Sequence, residues 1–294
     1  MQKIIDSHFH IWRLKDLVWL SGPSVPRIFG EYGPIRRDYP IEEFLADQAQ
    51  SGVEKAVYVQ TNWPNERYED EVAWVHDVAK ESGWPQAMVS YADVASDDVR
   101  PQLDRLKKYP LVRGVRMQLH WHENPQFRFA PSADQVLDAR VRANVARLKD
   151  YGFTFDLQLF PAQMKDGARL VEENPETDFI LPHAGMLVDL NPETTAAWLE
   201  GLSHFARLPN LYSKLSGLGT FVHRNDPELI AYIVDHTMEL FGSNRLMFGS
   251  NFPIEKLWTT HADLVAAHRA AVAKHGAAAE ADIFWNTASR VYRV

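Results

Sequence analysis

The chain has 294 residues, 46% hydrophobic and 24% charged, enough for one α/β barrel of about 250 residues with insertions and a core that needs no staples. It contains no cysteine, which excludes a disulfide framework, a thiolate nucleophile and a Cys-ligated metal centre. Lys plus Arg total 31 against 39 Asp plus Glu, a net charge of −8 without a basic run, so nucleic acid is not an expected partner.

Eight short β-branched or aromatic runs alternate with stretches of helical period. The strands are expected at Ile4–Ser7, Val53–Gln60, Gln86–Asp93, Val112–Leu119, Phe153–Leu159, Asp178–Leu181, Asn210–Leu215 and Arg245–Gly249. Between them, apolar stripes mark helices. Ile41, Phe44, Leu45 and Gln48 open the first. Tyr68, Val72, Val75 and Ala79 mark the second, and Val99, Leu103 and Leu106 the third. Leu137, Val141, Val145 and Leu148 predict a fourth. Met164 to Val171, Trp198 to Phe205 and Ile230 to Phe241 carry the next three, and a final helix runs from about Thr260 to Lys274. Each stripe would face a sheet. Asn191-Pro192-Glu193 and Asp226-Pro227-Glu228 have the form of an N-cap, a Pro in the first turn and a first-turn acid. Gly52 and Gly152 stand where helices should stop. The segment from Glu280 to Val294 predicts a short helix packed on the body.

Eight strands, each followed by a helix, predict a single-domain (β/α)8 barrel over residues 1–294, with a long loop after strand one. An open doubly wound sheet is the alternative. No Gly-rich phosphate turn follows the first strand, which counts against its nucleotide-binding versions. The apolar runs are strand-sized, so no membrane span is expected. Met1 to Asp6 lack the apolar segment and cleavage site of a signal peptide, so a cytoplasmic location is expected. Oligomeric state stays open, with a homo-oligomer as one option.

In a barrel, chemistry gathers where strands end. Residues 11–40 have no helical period and carry Trp12, Trp19 and four prolines, which reads as a lid or pocket wall. Strand one ends Asp6-Ser7-His8-Phe9-His10, and residues two apart on a strand share a face. His8 and His10 could therefore converge on a divalent cation, or be a hydrogen-bonded structural pair. His183, after strand six, is placed to be a third ligand or an acid/base. Three histidines and a water form an open catalytic zinc arrangement. On strand four, Arg116, Gln118, His120 and His122 share one parity and could crowd the mouth to bind substrate. Gln60 and Trp63 follow strand two; Trp63 either lines the pocket or caps the barrel. Lys214 ends strand seven, and facing inward it could stabilise an oxyanion. Arg113 and Arg128 are candidate carboxylate binders. His76, His204, His236, His261, His268 and His275 fall on or near helices and read as structural or surface.

His8-Phe9-His10, His183 and Phe248-Gly249-Ser250-Asn251-Phe252-Pro253, one set after each of strands one, six and eight, resemble the amidohydrolase superfamily. The resemblance is nearest to its branch of lactonases and decarboxylases, which includes pyrone-dicarboxylate and sugar-acid lactonases. Arg113-Gly114-Val115-Arg116, Lys214-Leu215-Ser216-Gly217 and Asn286 to Tyr292 resemble that branch too, so the likeness spans Ile5 to Arg293. It implies water attack on a lactone or related ester, assisted by His8, His10 and His183 or by one divalent metal they hold. That metal would be zinc or manganese, weakly bound or absent. Three departures stand out. Asn251 occupies the position of the family's strand-eight Asp, and an amide cannot take a proton near neutral pH. Gln158 and Leu159 stand where many superfamily members carry a metal-binding His. Met117, Gln118 and Leu119 stand in place of a bridging Lys, which argues against a binuclear site. Glu255, one turn beyond Asn251, is a further candidate base. Two other functions stay open: decarboxylation of a small acid on the same scaffold, and small-acid binding without catalysis. The expected partner in every case is a small molecule.

Overall fold

The computed structural model describes residues 3–294. Eight parallel strands stand in sequence order: β1 (Ile4–Phe9), β2 (Val53–Val59), β3 (Ala87–Tyr91), β4 (Val112–Arg116), β5 (Thr154–Asp156), β6 (Phe179–Leu181), β7 (Leu211–Leu215) and β8 (Leu246–Phe248). Each pairs with the next, and the order never reverses. That separates a (β/α)8 barrel from a doubly wound sheet, which needs a reversal. The seam between β8 and β1 closes just beyond the strand ends. There the Asn251 N–H donates to the His8 carbonyl at 2.7 Å and the His10 N–H to the Phe252 carbonyl at 2.8 Å.

Most strands are shorter than their β-rich runs. β4 stops at Arg116 and β5 at Asp156, because the following residues leave the ladder and build the mouth. The helices are Ile41–Gln48, Tyr68–Ser82, Arg100–Leu106, Ala139–Val145, Met164–Glu172, Pro192–Ala206, Pro227–Phe241 and His261–Ala273. The stripe from Leu137 to Leu148 does not form one helix: Ala139–Val145 ends and a separate turn, Leu148–Tyr151, follows. Asp226 caps its helix, accepting from the Glu228 and Leu229 N–H groups. Asn191 does not; its amide donates to Asp189 Oδ2 at 2.9 Å instead. Gly52 and Gly152 take positive φ, as helix-stopping glycines do.

The core has two parts. The larger lies between strands and helices, with Phe44, Trp198, Phe205 and Phe284 among its buried side chains. The smaller fills the barrel, with Ile5, Val57, Val59, Val89, Ile180 and Met247. Tyr292, near the end of the C-terminal helical segment Ala277–Tyr292, packs into that second cluster and plugs the barrel. Residues 11–40 hold only short turns (Leu14–Asp16, Val18–Ser21, Gly33–Ile35) and are pinned by an antiparallel bridge between Trp12 and Tyr39. Among the described residues, no helix is long and apolar enough to cross a membrane.

Candidate functional site

Simple alternation along β1 would not deliver both histidines to the barrel mouth. Ile5 belongs to the cluster inside the barrel, and Phe9 to the outer core. The pairing supplies the reason. Asp6 opposes Ala56 and Phe9 opposes Tyr58, so β1 carries an extra residue between them. Such a bulge re-aims side chains. Asp6 fixes it, its Oδ1 accepting from the His8 N–H at 3.1 Å and the Ser250 N–H at 2.8 Å. Beyond the bulge, His8 and His10 both face the mouth.

They meet His183 there. The His8 ring lies 5.1 Å from that of His10 and 4.9 Å from that of His183, centroid to centroid. His183 and Asn251 both sit at left-handed backbone positions, φ 57° and 56°. Such conformations are costly for non-glycine residues and cluster at functional sites. His10 Nδ1–H donates to the Val59 carbonyl at 2.7 Å, and His183 Nδ1–H to the Ser216 carbonyl at 3.0 Å. Each bond fixes the tautomer and leaves Nε2 as the lone pair. His8 is fully buried, and neither of its ring nitrogens has a hydrogen-bond partner.

All three imidazoles are held neutral. Burial, then the charge of Lys214, lowers His8 well below its ordinary value. Burial, then Arg116, lowers His10 to about 4. Burial lowers His183 to about 3, outweighing its bond to Ser216. Three neutral imidazoles, one with no partner at all, fit a divalent ion in kind. Among the described residues, however, no three ligating side chains stand in metal-binding geometry. The nearby Lys214 and Arg116 charges also oppose a cation.

The pocket above the triad is a cavity of about 160 Å³, near the size of one that holds a six-membered ring. His8, His10, Arg116, His120, His183 and Asn251 all line it. Arg116 is 4% exposed; one of its terminal nitrogens donates to the Gln60 carbonyl at 2.7 Å, and its Nε has no partner. His120 is also buried, edged by Phe129 and Phe160. Gln118 reaches the pocket and His122 does not. Arg128 lines the rim, its guanidinium over Trp121 at 4.7 Å.

Two expected substrate binders lie elsewhere. Lys214 is wholly buried beneath the pocket, Nζ 2.7 Å from Asp156 Oδ2. Trp63 lines a neighbouring cleft. Arg113 donates to the Tyr292 carbonyl and braces the C-terminal segment. Glu255 is fully buried behind Asn251, accepting from Trp258 Nε1 at 2.9 Å. Its carboxyl is pushed up to about 8 by burial, against hydrogen bonds from Trp258, Thr220, the Gly219 N–H and Asn251.

The roof comes from three loops. Gln126 Nε2 donates to the Arg27 carbonyl at 2.7 Å, and His223 Nε2–H to the Ile28 carbonyl at 2.9 Å. Phe127 meets Phe221 at 5.3 Å. Trp12 and Trp19 from the long first loop line the pocket. Arg27, Asn62, Phe127 and Phe221 were not singled out by sequence reasoning. The cluster of aromatics after β4 was the one available signal.

The family model for amidohydrolases matches residues 5–294. The chain is 32% identical over 293 residues to the protein y4mH of Sinorhizobium fredii, covering 99% of this chain and 98% of that one. It is 26% identical over 257 residues to L-fucono-1,5-lactonase of Burkholderia ambifaria, covering 86% and 81%. The crystal structure of a Burkholderia multivorans amidohydrolase with bound zinc superposes with a TM-score of 0.82 at 25% identity, covering 99% of each chain.

Proposed function

The chain belongs to the amidohydrolase family, and from that premise we propose that this hydrolase opens the ring ester of a small lactone, sugar-acid lactones foremost. One observation carries the reading: His8, with both ring nitrogens unpaired, stands between the imidazoles of His10 and His183 on the wall of the pocket. An unsatisfied polar group at this depth is costly unless a ligand completes it. The L-fucono-1,5-lactonase relatives support the substrate class.

In this mechanism the lactone carbonyl faces Arg116, which lines the pocket and whose guanidinium charge stabilises the developing oxyanion. His183 takes a proton from the attacking water on Nε2, since Nδ1 is committed to Ser216. The imidazolium is poorly tolerated in this enclosed site, so the proton passes on to the ring oxygen as the C–O bond breaks. The products are the open hydroxy acid and a neutral His183. Asn251 positions the water and cannot store its proton. His8, His10 and His183 are ligands of the kind a divalent ion takes, but they do not stand in metal-binding geometry, and in this mechanism the Nε2 of His183 is the base, so polarisation of the carbonyl falls to Arg116.

The test is a pH-indicator hydrolysis screen of sugar-acid and aromatic-pathway lactones. It compares wild type with Asn251→Asp, each with and without added zinc or manganese. Turnover by wild type is the expected result, and the metal lanes report whether an ion contributes. Activity confined to Asn251→Asp overturns the reading for the natural protein. Carbon dioxide released from small carboxylic acids without lactone hydrolysis would replace it with decarboxylation.

A further inference from the structure

Glu255 lies behind the wall of the catalytic pocket and is wholly buried. Donors converge on its carboxyl. Trp258 Nε1–H donates to Oε2 at 2.9 Å and the Thr220 hydroxyl to Oε1 at 3.4 Å, and the Gly219 N–H and the Asn251 side chain bond it as well. The loop after β7 is pressed against it: a Cβ on Gly219 would come within 2.7 Å of Oε2. Burying a carboxyl is costly, and this one is placed against two residues, Asn251 and Thr220, that line the pocket.

These partners differ in what they can do. An indole N–H and a backbone N–H only donate, whereas the amide of Asn251 can present either its N–H or its oxygen. An ionised Glu255 is acceptor-only. It therefore takes an N–H of Asn251 and leaves Oδ1 facing away from itself. A neutral Glu255 carries a proton that needs an acceptor, and Asn251 Oδ1 or Thr220 Oγ1 must receive it.

The surroundings of Asn251 fit the first arrangement. Its side chain stands between Glu255 and His10. Its Nδ2 lies toward the loop that carries Gly219 and Thr220, 3.1 Å from where a Cβ on Gly217 would sit. His10 gives its N–H to the Val59 carbonyl and has none for Oδ1. The amide oxygen is left for the pocket.

The sense of the amide matters to the attacking water. A water that gives one hydrogen to Asn251 Oδ1 and the other to His183 Nε2 keeps an oxygen lone pair for the carbonyl carbon. A reversed amide would donate to that lone pair and hold it back. We propose that Glu255 is a positioning residue for the hydrolysis: its carboxylate fixes the Asn251 amide with the oxygen toward the pocket and so orients the attacking water. The inference rests on the lactonase reading and adds to it a residue that touches no substrate.

Ionisation of Glu255 provides a readout, since burial raises its carboxyl to about 8. The other titratable groups around it behave differently. His10 and His183, on the pocket side of Asn251, lose their protons at about 4 and about 3. His223 meets Trp258 with ring centroids 6.0 Å apart, and Lys256 turns away to Glu43 and Asp47.

The experiment measures kcat and KM for the best sugar-acid lactone of the screen between about pH 6 and 9.5, corrected for spontaneous hydrolysis. The proteins are wild type, Glu255→Gln, Asn251→Asp and the double variant. Gln is isosteric with Glu, but its NH2 replaces an acceptor by a donor. Wild-type kcat is expected to rise through about pH 8. Glu255→Gln should lose that rise and about tenfold in kcat above it, with KM unchanged. In the Asn251→Asp background no amide remains to be turned, so Glu255→Gln should cost nothing further. Equal losses in both backgrounds, or a wild-type profile in Glu255→Gln, would overturn the proposal, because a purely structural carboxyl acts whatever stands at position 251. If no lactone is turned over, the lactonase reading fails and the amide itself judges the positioning. In protein isotope-labelled at asparagine, the side-chain N–H resonances of Asn251 are those lost in Asn251→Asp. They should move through about pH 8 in wild type and stay fixed in Glu255→Gln. Resonances that titrate in both proteins, or in neither, would overturn it.

Discussion

Lys214 Nζ lies 2.7 Å from Asp156 Oδ2, and both side chains are wholly excluded from solvent. The pair spans the barrel interior from β7 to β5, beneath the histidines. Tyr292 from the C-terminal segment completes it, its hydroxyl 3.5 Å from Asp156 Oδ1 and its ring 5.1 Å from Lys214 Nζ. Breaking such a pair strands a charge in the interior. Lys214→Met is expected to destabilise the protein by about 3–5 kcal/mol. The double variant Lys214→Met/Asp156→Asn should recover much of that loss. Urea unfolding of the three proteins checks this; equal midpoints for the single and double variants would refute it.

Arg116 lines the pocket and is held there by the bond from one terminal nitrogen to the Gln60 carbonyl. Arg116→Met should lower kcat/KM for the best lactone by about 10²–10³, the scale of losing one oxyanion donor. Arg116→Lys keeps the charge but not the fork, and should recover only part of it. Steady-state kinetics on folded variants decide the matter, and an unchanged kcat/KM in Arg116→Met would remove it from the site.

Glu255 makes stability depend on pH in an unusual direction. Burial, the dominant cause, raises its carboxyl from 4.5 to about 8. Between those values the folded protein holds a proton that the unfolded chain has released. Stability therefore falls as pH rises from 4.5 toward about 8. Glu255→Gln removes this dependence. Relative to wild type, its Tm should gain at least about 3 °C at pH 8.5 and gain nothing near pH 4.5. Parallel Tm curves for the two proteins across that range would contradict the assignment.

His120 acts at the other end of the scale. Burial, then Arg116, lowers its imidazole from 6.5 to about 3. Below pH 6.5 the unfolded chain takes up a proton that the folded protein refuses, so stability is lost as pH falls toward 3. His120→Phe should keep the packing against Phe129 and Phe160 and make the loss shallower by one proton. Chemical unfolding at pH 7, 6, 5 and 4.5 measures that slope.

The strand positions, the barrel and the histidines after β1 and β6 were legible because they are local or periodic. Side-chain spacing reports which residues share a face, and a strand end reports where chemistry gathers. The same logic failed at β1 in one respect. His8 and His10 share a parity, but the bulge that turns them into the mouth exists only in the pairing with β2. At Lys214 the direction of the side chain was open in the sequence; it points inward, but its partner Asp156 lies 58 positions away and takes it out of the pocket. Trp63 was ambiguous between pocket wall and barrel cap, and it borders a neighbouring cleft instead.

By itself, then, the sequence determined the order of strands and helices, the β/α alternation and the set of imidazoles available for chemistry. Those properties follow from backbone periodicity and residue type, which act over a few neighbours. Tertiary structure alone decided which polar groups are left unpaired, how far burial shifts their protons and which loops share a wall. Desolvation and hydrogen-bond satisfaction depend on what chain closes over a group. For His8, Arg116 and Glu255 that chain comes from distant elements of the barrel.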